Sequence, residues 1–356
     1  MKLLICTQAI DLDDPVLGFF CRWVEEFSKH CQSVQVICLK EGRHSLPANV
    51  HIHSLGKEHV YRIPYTVYRI RSVQRILYAL RFWRHIWRLR REYDSVFVHM
   101  NQEYVLLGGK FWRLWRKRVV LWRNHKIGST WTRIAGFLAH AVCHTSPSAF
   151  VAKFKNAVRM PIGIDTNFFT LPAKPAPRGT ILFLGRLDPV KKPELFLSAL
   201  KKLHDVGVEF HADIYGDPTD SNSAHVAEFK SQSESLVASG ALMLHKGVSN
   251  DKTPAIYAEH AIYVNLTLPG SFDKTIGEAM ASGCVAVVAN DAIREVIPPI
   301  YLVNPESLES VAAGIRAALM MPNEERAAFA KKSRDYIVRE HSLTLLVTRL
   351  RKILTK

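Results

Sequence analysis

Short uninterrupted apolar runs recur through both halves of this chain, separated by stretches of helical period, and that alternation leaves few folds open. In the first half KLLICT (2–7), VQVICL (34–39), SVFVHM (95–100) and RVVLWRN (118–124) read as strands, with LGFFCRWVEEFSKH (17–30) as a helix. In the second half GTILFLGRL (179–187), EFHADIYG (209–216), ALMLHKG (241–247), AIYVNL (261–266) and VAVVAN (285–290) read as strands, with PELFLSALKKLHDVG (193–207) as a helix. Runs rich in β-branched residues without polar alternation belong to strands buried on both faces, and intervening helices are the crossovers that parallel pairing needs. The expected class is α/β, with two Rossmann-like domains. At 356 residues, 48 % of them hydrophobic, the chain can bury two cores. The proline-rich LPAKPAPRG (171–179) reads as a linker, and the segment from about 323 onward as two helices broken near His341 and Ser342. The expected division is a first domain over 1–168, a second over 169–340 and a terminal helix over 341–356.

The N-terminal MKLLICTQAID lacks the apolar core and cleavage site of a signal peptide and reads as a first strand. No stretch approaches the about 18 consecutive apolar residues of a membrane span. The six cysteines form no CxxC pair and mostly sit in apolar runs, so they read as reduced, buried thiols. These features predict a cytoplasmic protein.

Two loops carry the chemistry. TLPGSFDKT (267–275) follows a strand and opens a helix, where backbone N–H groups and the helix dipole favour an anion. Gly270 and Ser271 permit close backbone approach, Lys274 adds charge, and Glu278 lies one turn into the helix, where a carboxylate can accept from sugar hydroxyls. The same residues also fit an ordinary helix cap followed by a surface glutamate. In GRLDPVKKPELF (185–196) a strand ends at Gly185, and Arg186 and Lys191 fall in the loop beyond it. Arginine grips phosphate bidentately and lysine acts as a movable point charge, so the two loops together read as a diphosphate clamp. No cluster has metal-ligand spacing, although His51 and His53 alternate on one apparent strand.

The order GRL-x3-K, then a loop, EAMASG and an apolar strand resembles the donor domain of retaining glycosyltransferases of the GT-B fold, glycosyltransferase family 4. PIGID (161–165) is similar to the family's P-N-G-V-D segment, with Ile162 in place of Asn, and IYGD (214–217) to its strand and glycine loop. The resemblance covers most of 95–290 and implies two Rossmann-like domains facing each other across a cleft, with a C-terminal helix crossing back to the first. It implies sugar transfer from a nucleoside-diphosphate sugar with retention at the anomeric carbon. It assigns the diphosphate to Arg186 and Lys191 and the ribose to Glu278, and it places Gly185, Phe272, Asp273, Lys274 and Thr275 in the donor site. It implies no metal and no cofactor beyond the donor itself. The family's E-x7-E motif departs here, because its first Glu falls on Gly270; Asp273 is the candidate substitute. RNHKIGST (123–130) resembles the segment that carries an active-site histidine, so that role falls on His125, and Gly18 matches a glycine loop near the cleft.

The basic charge is confined to one half. Residues 1–175 hold 27 Lys and Arg against 11 Asp and Glu, a net +16, whereas 176–356 hold 21 of each. Between Tyr61 and Tyr93 lie nine arginines and no acid before Glu92. A helix over 65–91 would place Arg81, Arg84, Arg88 and Arg91 on one face, near Phe82, Trp83 and Trp87; KFWRLWRKR (110–118) mixes Trp and Arg in the same way. Such a face suits an anionic membrane, a solvated helix edge or, third, single-stranded nucleic acid. The combined expectation is a transferase whose acceptor is lipid-linked or a saccharide near the inner face of a membrane, in polysaccharide or glycolipid assembly. The rivals are a sugar-nucleotide epimerase and a catalytically weak protein that docks on membranes or polyanions.

Overall fold

The computed structural model describes residues 1–58, 71–218, 224–268 and 272–356. It divides into two compact units, Met1–Gly163 with Ser249–Asp251 and Leu343–Lys356, and Ile164–Val248 with Lys252–Ser342. The first boundary thus falls five residues ahead of the expected one at 168, and both lie before the proline-rich stretch.

The first unit is a 7-stranded sheet in the order β3-β2-β1-β4-β5-β6-β7, every pair parallel. Its strands are β1 (Lys2–Ile10), β2 (Ser33–Glu41), β3 (Val50–Ser54), β4 (Ser95–His99), β5 (Arg118–Trp122), β6 (Ala141–His144) and β7 (Ala157–Arg159). The last two were not anticipated; β7, at three residues, is too short to leave a period. Alternate residues of β1 feed opposite faces. Leu3 and Ile5 join a core with α1 (Phe20–Ser28), whereas Leu4 and Cys6 join one with α2 (Arg71–Arg88), α3 (Gln102–Leu114) and α4 (Thr130–Leu138). Both faces are covered, as uninterrupted apolar strands require.

The second unit is a 5-stranded parallel sheet in the order β10-β9-β8-β11-β12. Its strands are β8 (Thr180–Leu184), β9 (His211–Tyr215), β10 (Leu242–His245), β11 (Ile262–Asn265) and β12 (Val285–Val288). Helices α5 (Pro193–Asp205), α6 (Ala224–Ala238), α7 (Thr253–Glu259), α8 (Lys274–Ala281), α9 (Leu308–Met320) and α10 (Asn323–Tyr336) connect and follow them. After a π turn at Ile337–His341, helix α11 (Leu343–Leu354) belongs to the first unit. There Leu346, Val347 and Leu350 are fully buried in the core that holds Trp23 and Phe27. Each such side chain contributes about 1.5–3 kcal/mol. All six cysteines are free and buried. No helix among the described residues is long and apolar enough to cross a membrane.

Candidate donor site

In an open parallel sheet, ligands bind beyond the strand carboxyl ends where the strand order reverses. In the second unit that point lies between β8 and β11. The loop after β8 carries Arg186 and Lys191, and the loop after β11 leads into α8, so the fold brings the two sequence motifs to adjacent strand ends.

Gly185 leaves β8 with φ +155 and donates its N–H to the Tyr215 carbonyl at 3.0 Å. That backbone conformation is one L side chains avoid. The chain then forms a short 3-10 turn at Pro189–Lys191 and starts α5 from Lys192, which has φ +54. Arg186 is exposed, with Nη1 3.2 Å from Asp188 Oδ2. Lys191 is mostly covered, and its ammonium pairs with the Asp273 carboxylate.

Asp273 is the hub of the site. It caps α8, accepting from the Thr275 N–H at 3.4 Å and from the Thr275 hydroxyl at 3.0 Å. Asn265 Nδ2, at the end of β11, donates to its other oxygen at 3.2 Å. Burial alone would raise this carboxyl, but the Lys191 charge and the donors Lys191, Asn265 and Thr275 outweigh it and hold it at about 2. The helix N-terminus, read from sequence as an open anion cradle, is therefore already occupied by a carboxylate. Lys191, read as a movable cation, is already neutralised. Both contacts have one cause: β8 and β11 are neighbours, so residues 82 apart in sequence meet.

Glu278 is buried, at 4 % exposure, and is not the surface glutamate of the capping reading. Tyr257 donates its hydroxyl to Glu278 Oε2 at 3.3 Å and is held above the ordinary tyrosine range by burial and then by that carboxylate. Tyr263 donates to Thr275 Oγ1 at 2.6 Å, and Asn265 to the Tyr263 hydroxyl at 3.0 Å. The other end of α8 is held by Arg334, whose guanidinium donates to the Ala281 carbonyl at 2.7 Å. Phe272 is buried with its ring 5.0 Å from His341, and Lys274 is half-buried. Gly270 and Ser271 lie outside the described residues. Tyr257, Tyr263 and Asn265 escaped the sequence reading; Asn265, a polar residue closing an apolar strand, was the one legible signal.

In the first unit His125 is exposed in the loop after β5. Desolvation, and then the Arg123 guanidinium, push its imidazole below the ordinary histidine range. Arg123 Nε is buried with no hydrogen-bond partner among the described residues. Gly18 sits in the turn before α1, where a Cβ would come within 2.8 Å of the Leu12 carbonyl oxygen. The switch point of this sheet, between β1 and β4, carries a residue the sequence reading passed over. His99 is buried, its Nδ1 lies 3.4 Å from Thr7 Oγ1, and its ring stacks on Phe20 at 4.0 Å. Met100 follows it with φ +66, a strained backbone for a non-glycine residue. Among the described residues no group of three or more His, Cys, Asp or Glu could hold a metal ion.

Two parallel Rossmann-like sheets in these orders are the architecture of the GT-B fold. Residues 178–321 match the family model of glycosyl transferases group 1, a span that holds Arg186, Lys191, Asp273 and Glu278. Over its whole length the chain is similar to the Anabaena HepE protein solved with UDP and glucose, at 17 % identity and a TM-score of 0.76 with 100 % of each chain covered. It is similar to sucrose-phosphate synthase from Thermosynechococcus elongatus, at 14 % identity and a TM-score of 0.71, covering 100 % of this chain and 98 % of that one. It is also similar to a glycosyltransferase from Rickettsia africae, at 13 % identity and a TM-score of 0.73, again over 100 % and 98 %. No curated protein sequence matches it.

Proposed function

We propose that this chain is a retaining, family 4-type glycosyltransferase that moves a sugar from a nucleoside-diphosphate sugar to a lipid-linked or membrane-proximal acceptor. The observation that carries the donor half is the Lys191–Asp273 pair beside Arg186 at the switch point of a group 1 domain. A donor diphosphate takes Lys191 as its counter-ion in place of Asp273, and Arg186 leaves Asp188 to grip the outer phosphate. Both cations then stabilise charge on the leaving diphosphate, an electrostatic term of several kcal/mol. Asp273, released from Lys191, is the substitute for the family's missing glutamate toward the sugar. Glu278 takes the ribose, and His125 is the first unit's polar group toward the sugar. None of these roles calls on a metal ion.

UDP is the first nucleotide to test, because the similar HepE protein binds it. UDP should raise the melting temperature in proportion to log concentration, as a ligand of the folded state does. UDP-glucose should be hydrolysed slowly without acceptor. A panel of nucleoside diphosphates that leaves the melting temperature unchanged, together with no hydrolysis of any nucleotide sugar, would overturn the proposal.

The membrane half rests on α2. Ile76, Leu80, Trp83 and Trp87 are all exposed and follow one another at helical spacing, forming an apolar stripe that the fold leaves uncovered. Arg81, Arg84 and Arg88 are exposed on the same helix. Helix α2 ends at Arg88, so Arg91 lies in the following turn and outside the stripe; residues 65–70 lie outside the described residues. Phe82, grouped with the exposed aromatics from sequence, is instead in the core. The patch continues onto α3, since the Trp87 and Trp115 rings lie 5.7 Å apart. Apolar and arginine side chains on one surface fit an anionic bilayer. Binding to vesicles rich in anionic lipid should fall steeply with salt and fall again in an R81Q/R84Q/R88Q variant. Absence of vesicle binding at low salt, or equal binding by the variant, would remove the membrane from the proposal.

A further inference from the structure

A groove of about 1040 Å³ opens in the first unit between α4 and the segment 147–156. Its wall is aromatic. A Cβ at Gly136 would lie 2.4 Å from the Phe154 ring, and one at Gly128 would lie 2.1 Å from the Phe150 ring. Two glycines thus let two aromatic rings lie against the backbone of the loop and helix, and Phe137 projects beside them at 74 % exposure. Around this wall stand Lys126, Arg133, Lys153 and Lys155, all exposed, and no acidic residue lines the groove. None of the four makes an ion pair among the described residues; Arg133 lies over the Phe150 ring at 5.9 Å instead. Cations at the rim with no acidic residue in the lining make the groove complementary to negative charge there and to apolar bulk along its wall.

From this we infer that the groove binds a single lipid phosphate, its headgroup among the four cations and its chain against Phe137, Phe150 and Phe154. One further observation favours a lipid over a nucleic acid. Ile127 and Ile134, just before and on α4, are exposed, and aliphatic bulk adds nothing to base stacking. The groove is also bordered by a further cation, because Arg113 of α3 lies over the Phe137 ring at 5.4 Å. It adjoins the loop of His125, whose carbonyl accepts from the Phe150 N–H at 2.9 Å. A bound lipid phosphate therefore sits next to the histidine assigned to the first unit, as an acceptor must. This inference rests on the lipid-acceptor reading above, and it gives that acceptor its chemistry and its place.

The test uses the full chain and dihexanoyl phosphatidic acid kept as monomers, so no bilayer is needed. Titration calorimetry should show saturable one-to-one binding. An R133Q/K153Q/K155Q variant should weaken it on the order of 100-fold, as expected for losing several charge-assisted contacts. F137S, a change at an exposed side chain, should weaken phosphatidic acid but not inorganic phosphate, which keeps the test open if the triple variant fails to fold. R81Q/R84Q/R88Q should leave monomer binding unchanged while reducing vesicle binding. Vesicle binding without monomer binding would overturn the groove and leave the α2 docking standing; the reverse would overturn only the docking. Inorganic phosphate or dihexanoyl phosphatidylcholine binding as tightly as phosphatidic acid, or an oligothymidylate binding more tightly, would also overturn the groove.

Discussion

Replacing Lys191 with alanine lowers sugar transfer and donor hydrolysis by on the order of 100- to 1000-fold, the scale of losing one preorganised group that stabilises transition-state charge. The same substitution changes stability, because Lys191 is the counter-ion of a mostly buried carboxylate. Asp273 has its carboxyl at about 2, below the ordinary 3.8. A carboxyl lowered on folding contributes stability that is present above its unfolded value and lost as pH falls through its folded one. That contribution is about 2 kcal/mol and disappears between roughly pH 4 and pH 2. Without Lys191 the variant is less stable at neutral pH and loses less on acidification across that window. Urea unfolding at pH 7 and near pH 3 measures both. Arg186→Ala should lose turnover to a similar extent but, being an exposed side chain paired with Asp188, should shift stability by no more than about 0.5 kcal/mol. Near-normal turnover in both variants would remove the clamp.

Glu278→Gln weakens UDP binding by on the order of tenfold or more, the worth of a hydrogen bond to a charged group, with saturated turnover less affected. The amide can still accept from the Tyr257 hydroxyl, so the fold persists. Glu278→Ala should instead leave that buried hydroxyl only the Thr275 carbonyl, at 3.4 Å, and cost about 1 kcal/mol of stability. Calorimetry with UDP, read beside the melting temperature, separates the two effects. Unchanged UDP affinity in Glu278→Gln would make this carboxylate a structural partner of Tyr257 and move the ribose elsewhere.

What the sequence by itself determined is local in period. Uninterrupted apolar runs marked the longer strands as doubly buried, because side chains alternate at every second residue and both faces need cover. A helix cap in the 267–275 loop, the end of β8 at Gly185 and the break before Leu343 were legible because each depends on a few consecutive residues. Strand order was not legible, since one valine-rich run pairs as well with another. That order alone puts β8 beside β11, and so joins Lys191 to Asp273 and turns an open anion cradle into a closed ion pair. It likewise puts β1 beside β4, which buries His99 against Thr7 and Phe20. The burial of Glu278 under Tyr257 depends on how α7 and α8 pack, which no period encodes. The exposed stripe on α2 and the aromatic groove are tertiary facts in the same sense. Helical spacing shows which residues share a face, but only the packing of neighbouring elements decides which face is left without a partner.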